Sequence, residues 1–246
     1  MRAEFWNVAI AEVKKIVPEF LFVAEAYWET EWHLQQLGFD FAYDKRLYDK
    51  ILGGDIASAR AHLGADWEFA RRLVRFTENH DEARAAKAFG ANNKAASLLT
   101  LTLPGLRLIH EGQTAGLHLK QSLYLFRQPV EGPDSDVATF YERLLRVIDN
   151  PALTLGDFHL LDLTGEGTDA VIGFERRCGD EGRIITAANL SDRGCEVSFP
   201  TAAFAKDYRE MEIVSTELTR TPQLDLWPGG ITLRLRAHEG LLLVAR

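Results

Sequence analysis

Apolar residues recur at helical spacing over residues 3–16 (Phe5, Val8, Ala9, Val13, Ile16), and Pro18 ends that pattern. The period then changes. Phe20 to Ala24 is a short, wholly apolar run of strand length, the kind buried on both faces of a parallel sheet. Helical sequence from Glu29 to Leu37, stopped by Gly38, separates it from the next expected strand, FDFAY (Phe39 to Tyr43). A helical stretch from Lys45 to His62, and a shorter one capped by Asp66 and running toward Arg72, lead to a third strand, Leu73 to Thr77. Glu82 to Leu101 reads as a long alanine-rich helix interrupted near Gly90. The Pro104-Gly105 turn introduces a fourth strand, Leu106 to Ile109, and Gly112 to Pro133 is a loop rich in Gly, Gln and Pro. An amphipathic helix follows from Asp136 to Ile148.

Pro151 marks a change of character. Beyond it, alternation with period two and turn clusters replace helical spacing. ITLRLRA (Ile231 to Ala237) alternates strictly, and AVIGFE, RIITAAN, CEVSF, REMEIV and GLLLVA read as further strands. The chain therefore divides into residues 1–150, with four β/α units, and residues 151–246, an all-β antiparallel sandwich. Four β/α units form either an open doubly wound sheet or half of an eight-stranded barrel, and periodicity leaves both open.

Composition narrows the function more than the fold. The formal net charge of the 246 residues is −8, and no run of Lys or Arg forms a basic stripe, which argues against nucleic acid or an anionic membrane as partner. No apolar stretch approaches the roughly 20 residues that span a bilayer. The first 20 residues carry Glu4, Glu12 and two lysines inside an amphipathic pattern, a helix rather than a signal peptide, so a cytoplasmic setting is expected. If Met1 is an internal methionine of a longer reading frame, that expectation does not extend to the parent. Cys178 and Cys195 fall in what read as neighbouring strands, which permits a disulfide; the absence of any wider cysteine framework favours two free thiols.

The candidate chemistry lies at two strand tips. Glu25 closes FLFVAEAYW and Asp81 closes VRFTENHDE. A carboxylate at the end of a buried strand is costly unless it faces a cleft. By position alone the pair reads more readily as two solvent-facing loop acids than as a catalytic pair; the residues around them raise the weight of a site. Tyr27 and Trp28 offer flat faces for sugar rings, and Asn79 and His80 offer hydrogen-bond donors for hydroxyls. Other patterns are weaker. His110-Glu111 lacks the second histidine of a zinc-protease signature. GEGTDA (Gly165 to Ala170) lacks the third glycine of a dinucleotide fingerprint and reads as a turn, and no nucleophile-elbow or phosphate-loop pattern occurs. Trp32 and Trp67 read as packing residues, and His62, His118, His159 and His238 have no partner visible in the sequence.

Taken in order, FLFVAEAYW, GFDFAYDKRLYD, RFTENHDEARA and LPGLRLIHEGQTAG resemble the second half of the catalytic domain of the α-amylase family of glycoside hydrolases. The blocks cover most of residues 1–125, and the region after 150 is similar to that family's C-terminal domain. The resemblance implies an α/β fold: the second half of a TIM-type (β/α)8 barrel, strands five to eight, followed by an antiparallel β-sandwich. It implies that Glu25 is the general acid/base and Asp81 the acid that grips sugar hydroxyls and stabilises the transition state, with His80 contacting substrate. His110 stands where a tyrosine is common and Gln113 where an acid is common.

The family's nucleophilic Asp follows an Arg at the end of the fourth strand, and this chain begins with a helix that resembles the one after it. A retaining glycosidase needs two carboxyl groups about 5–5.5 Å apart, so the chain alone is expected to hydrolyse weakly or not at all. The expected ligand is an α-glucan or oligosaccharide, and no cofactor or metal site is assigned. The other reading is a non-catalytic carbohydrate-binding or subunit fragment, associating through its half-barrel with a copy of itself or with a complementing N-terminal half.

Overall fold

Acidic caps start several of the helices. Glu4 accepts from the backbone N–H of Trp6 at the head of α1 (Phe5–Ile16), Asp44 from Leu47 and Asp55 from Ser58. A computed structural model describes residues 4–27, 29–122, 124, 127, 130–179, 182–201 and 211–245. After α1 come β1 (Val23–Ala24), α2 (Glu31–Gln36), β2 (Phe41–Tyr43), α3 (Lys45–Leu52), α4 (Ile56–Leu63), α5 (Trp67–Ala70) and β3 (Leu73–Arg75). Then follow α6 (Ala85–Ala88), α7 (Asn93–Thr102), β4 (Leu106–Arg107), α8 (Ser135–Val147) and α9 (Pro151–Thr154). The four strands pair in parallel in the order β1-β2-β3-β4, as a chain alternating strands with helices requires.

Glycines adjust the expected helices. Gly53 and Gly54 split the stretch from Lys45 to His62 into α3 and α4, and Gly90, with φ of 52°, separates α6 from α7 at the anticipated break. The run Phe20 to Ala24 departs further from expectation. Only Val23 and Ala24 are strand, and Phe20, Leu21 and Val23 are 49, 58 and 42 % exposed. The reason is topological: β1 pairs only with β2 and lies at an edge, so one side of the run has no neighbour.

The second region contains β5 (Asp157–Leu160), β6 (Thr164–Glu166), β7 (Val171–Cys178), β8 (Gly182–Asn189), β9 (Cys195–Pro200), β10 (Glu212–Ser215), β11 (Gln223–Trp227), β12 (Gly230–Leu235) and β13 (Gly240–Ala245). They form two antiparallel sheets, β10-β13-β8-β7-β5 and β11-β12-β9-β6. The expected turn at Gly165 is instead strand β6 followed by a 3-10 turn. Cys178 and Cys195 are free thiols, and they are not on neighbouring strands: one ends β7, the other starts β9 in the opposite sheet.

Burial explains why β13 does not alternate. Leu241, Leu243 and Ala245 face the sandwich interior with Val197, Phe199, Ile231 and Leu233. Leu242 and Val244 face the other way, against Leu98 and Leu101 of α7 and Phe140 and Leu144 of α8. A strand covered on both faces reads as a continuous apolar run, whereas β12, in the outer sheet, shows Thr232 and Arg234 toward solvent. A second core joins α3, α4 and α7 to Ile172, Phe174 and Ala188 of β7 and β8. Helices and inner sheet thus bury one another, which holds the strand tips of the parallel sheet in place. Among the described residues, no helix is long and apolar enough to cross a membrane.

Helix α8, which packs against Leu242 and Val244 of β13, depends on its cap. Asp134 accepts from the N–H groups of Asp136 and Val137. Asp134→Ala is expected to cost about 1 kcal/mol, read as a lowered midpoint in urea with an unchanged slope.

Candidate functional site

In a parallel sheet all C-terminal strand ends lie on one edge, and side chains just beyond them converge there. Glu25 follows β1 directly, Asp44 follows β2, Glu78 to Asp81 follow β3, and His110 lies beyond β4. Glu25 and Asp81 meet at His80: its Nε2 is 3.5 Å from Glu25 Oε1 and 3.6 Å from Asp81 Oδ1. Ligand atoms of these three groups lie within 4.8 Å of one another, so they could also hold a cation; all three are exposed, and exposed acids often converge without one. The Tyr27 hydroxyl donates to Glu25 Oε1 at 3.0 Å.

Charge accumulates at this edge. Burial, then the hydrogen bond and charge of Glu25, then the charges of Asp81 and Glu82, push the Tyr27 phenol well above its ordinary 10.0. Tyr43 moves the same way, through burial and the two carboxylates Glu25 and Asp81. Tyr27 therefore stays a hydrogen-bond donor throughout the range in which a free tyrosine ionises. In alkaline spectrophotometric titration, wild type and Tyr27→Phe should show the same tyrosinate absorbance up to about pH 10. A deficit in the variant by that point would contradict this.

Two cavities flank the pair. One, about 380 Å³, is lined by Tyr27, Glu29, Lys45, Arg46 and Asp49. The other, about 440 Å³, is lined by His80, Asp81, Lys120, Gln121, Ser122 and Tyr124. Glu29, at φ of 66°, reaches Arg46 at 3.4 Å, and Lys120 Nζ donates to the Asp81 carbonyl. Asn79 is placed differently from His80. It is 2 % exposed, and its Oδ1 accepts from the N–H groups of Asp81 and Glu82 at 2.9 Å each, so it folds the loop that presents His80 and Asp81. Its Nδ2 is buried and has no partner among the described residues. Trp28 lies outside the described residues.

Beneath the site are two buried ionic clusters whose pairings the sequence did not show. Glu78 and Arg84, 1 and 2 % exposed at their side chains, are 2.9 Å apart. His110 Nδ1 lies 3.2 Å from Glu78 and 3.0 Å from Arg84, whose Nη1 also donates to the Glu111 carbonyl. Burial raises the Glu78 carboxyl, offset in part by the Ala85 N–H and by Arg84. Gln113 is equally structural, its Nε2 donating to Thr77 and to the Tyr141 hydroxyl. In the second cluster Arg75 Nη1 pairs with Asp44, which His62 reaches at 2.8 Å. The available signal was Arg75 itself, an arginine inside the apolar run LVRF.

No family model matches the chain, and no curated protein matches it. Solved structures match over nearly its whole length. It is similar to the native form of the Nostoc punctiforme debranching enzyme (20 % identity, TM-score 0.76), covering 98 % of this chain and 55 % of that one. It is similar to an α-amylase from Geobacillus thermoleovorans complexed with acarbose (20 %, TM-score 0.75, 98 % and 57 %). The α-amylase from H. orenii gives 17 % identity and a TM-score of 0.70, over 98 % and 56 %. The chain thus has the fold of a part of these enzymes, and spans about half the length of the solved chains it matches.

Proposed function

We propose that this chain belongs to the α-amylase family and carries two members of a retaining glycosidase site: Glu25, the general acid/base, and Asp81, the stabiliser of an oxocarbenium-like transition state. The observation that carries this reading is the convergence of both carboxylates on His80 at the C-terminal edge of the parallel strands. The sequence blocks around them and the fold shared with amylases and a debranching enzyme support it. The substrate is an α-glucan or oligosaccharide, with Tyr27 and His80 as sugar contacts, Asn79 acting through the loop it folds, and the two flanking cavities taking neighbouring units; the sequence block adds Trp28 as a further sugar contact. We assign residues 1–150 to strands five to eight of a (β/α)8 barrel and residues 151–246 to the C-terminal β-sandwich.

In a double displacement Glu25 protonates the departing glycosidic oxygen as a nucleophilic carboxylate attacks the anomeric carbon, and then, as base, takes the proton of the water that frees the sugar from that carboxylate. Asp81 is not assigned the nucleophile's role. Residues 1–246 alone should release no reducing sugar from maltooligosaccharides. Release at an ordinary turnover rate, abolished in Glu25→Gln, would overturn the two-carboxylate assignment.

A second reading has its own observation. Strand β1 pairs with β2 on one side only, and Ile16, Phe20, Leu21 and Val23 are exposed apolar residues at or before this open edge. The surface suits association with a complementing N-terminal half or a second copy, in which case the chain is a binding subunit. Sedimentation as a strict monomer at all concentrations would remove the second copy as occupant.

A further inference from the structure

A third cavity, about 430 Å³, opens at the other, N-terminal end of the parallel strands. Phe41 at the start of β2 and the turn before β4 form one wall; Trp67, Glu68 and Arg71 at α5, with Leu155 and Arg176, form the rest. Arg176 is 2 % exposed, and its hydrogen bonds go only to carbonyls: Nε to Asp157 at 3.2 Å, Nη2 to Gly156 at 2.8 Å and Nη1 to Thr102 at 3.5 Å. Among the described residues no carboxylate pairs with it. Burial, with Arg107 and Arg75 nearby, draws it down to about 10. The Asp157 carboxylate pulls the other way but makes no hydrogen bond to Arg176 among the described residues; a buried cation so weakly countered is costly, and here it borders a cavity through which an anion can approach.

The rim supplies the rest. Arg71 gives its Nε and Nη2 to Glu68, at 2.9 and 2.6 Å, while its Nη1 makes no hydrogen bond among the described residues. Such an exposed pair is weak enough for a ligand anion to compete. Trp67, 37 % exposed, adds the flat apolar face that stacks on a pyranose ring. We propose that this cavity binds a phosphorylated sugar, with the ring on Trp67 and the phosphate held by Arg71 and Arg176. The site lies away from Glu25 and Asp81, so it does not rest on the reading given above. A free hexose phosphate and a phosphate-bearing glucan present the same chemistry.

Calorimetric titration of the whole chain tests it, with glucose 6-phosphate, a phosphorylated maltooligosaccharide, inorganic phosphate and glucose as probes. Glucose 6-phosphate should saturate with a Kd of about 0.1–1 mM, with phosphate and glucose each at least about tenfold weaker. Trp67→Ala and Arg71→Ala should each weaken binding about tenfold, and Glu68→Gln, which removes the competing carboxylate, should tighten it. Tighter binding of the phosphorylated maltooligosaccharide assigns a glucan as the source; tighter binding of glucose 6-phosphate assigns the free sugar. No saturation by about 10 mM, glucose binding as tightly as its phosphate, or an unchanged Kd in Arg71→Ala would overturn the proposal.

Discussion

Asp44→Ala should lower the free energy of unfolding by about 3–5 kcal/mol. Asp44 is 3 % exposed, and it neutralises Arg75, which is 1 % exposed. The other two nitrogens of Arg75 already donate to backbone carbonyls, Nε to Pro104 and Nη2 to Ala70. Deleting the carboxylate therefore leaves the guanidinium in place with no counter-charge, the costly way to break a buried pair. It also removes the acceptor for His62 at 2.8 Å and for the Leu47 N–H that starts α3. The cap contributes only about 1 kcal/mol, the same as expected for Asp134, so the excess over that variant measures the loss of the counter-charge together with the His62 contact. A loss no larger than that of Asp134→Ala would show that Arg75 finds another partner.

The same cluster sets a pH dependence. Burial raises the Asp44 carboxyl, but Arg75, then His62 and the Leu47 N–H, outweigh it, and its pKa lies below the ordinary 3.8. A depressed folded value means the unfolded chain binds the proton more readily. The stability it contributes is thus complete above the ordinary carboxylate range and is lost as pH falls from there through the lower folded value. Wild type should lose more stability than Asp44→Ala between about pH 5 and pH 2. Parallel curves for the two proteins would count against it.

The elements were legible where a residue's neighbours in sequence decide its state. Runs such as Leu73 to Thr77, the head capped by Asp66, and the break at Gly90 are local features, and the structure places elements at each. What depends on distant partners was not legible. An apolar run does not say whether its strand has one neighbour or two, so Phe20, Leu21 and Val23 read as buried. Strands β5, β6 and β11 escaped because they are short and largely exposed: β6 has no apolar residue, and the alternations Phe158, Leu160 and Leu224, Leu226 are only two steps long. The partners of His62 and His238, Asp44 and Asn92, lie far along the chain. Glu25 and Asp81 could be picked from their blocks, but their meeting at His80 is a property of the sheet.

The largest catalytic effect should come from Glu25. A general acid/base typically contributes about 10²–10⁴-fold, and Gln keeps the shape of Glu while removing the proton that the leaving oxygen needs. The effect can be read only where a nucleophile is present to complete the displacement. The decisive protein is therefore one in which residues 1–246 are joined to the sequence encoded in frame upstream of Met1. Where a reading frame continues there, a strand ending in an Arg-x-Asp block is expected in it. The measurement is release of reducing sugar from a maltooligosaccharide by the joined protein, by residues 1–246 alone, and by the joined protein carrying Glu25→Gln. The joined protein should be active, the shorter chain silent, and the Glu25→Gln protein slower by about 10²–10⁴-fold. Undiminished activity in Glu25→Gln, or full activity in the shorter chain, would contradict the assignment of Glu25 and Asp81 as two parts of a three-carboxylate site.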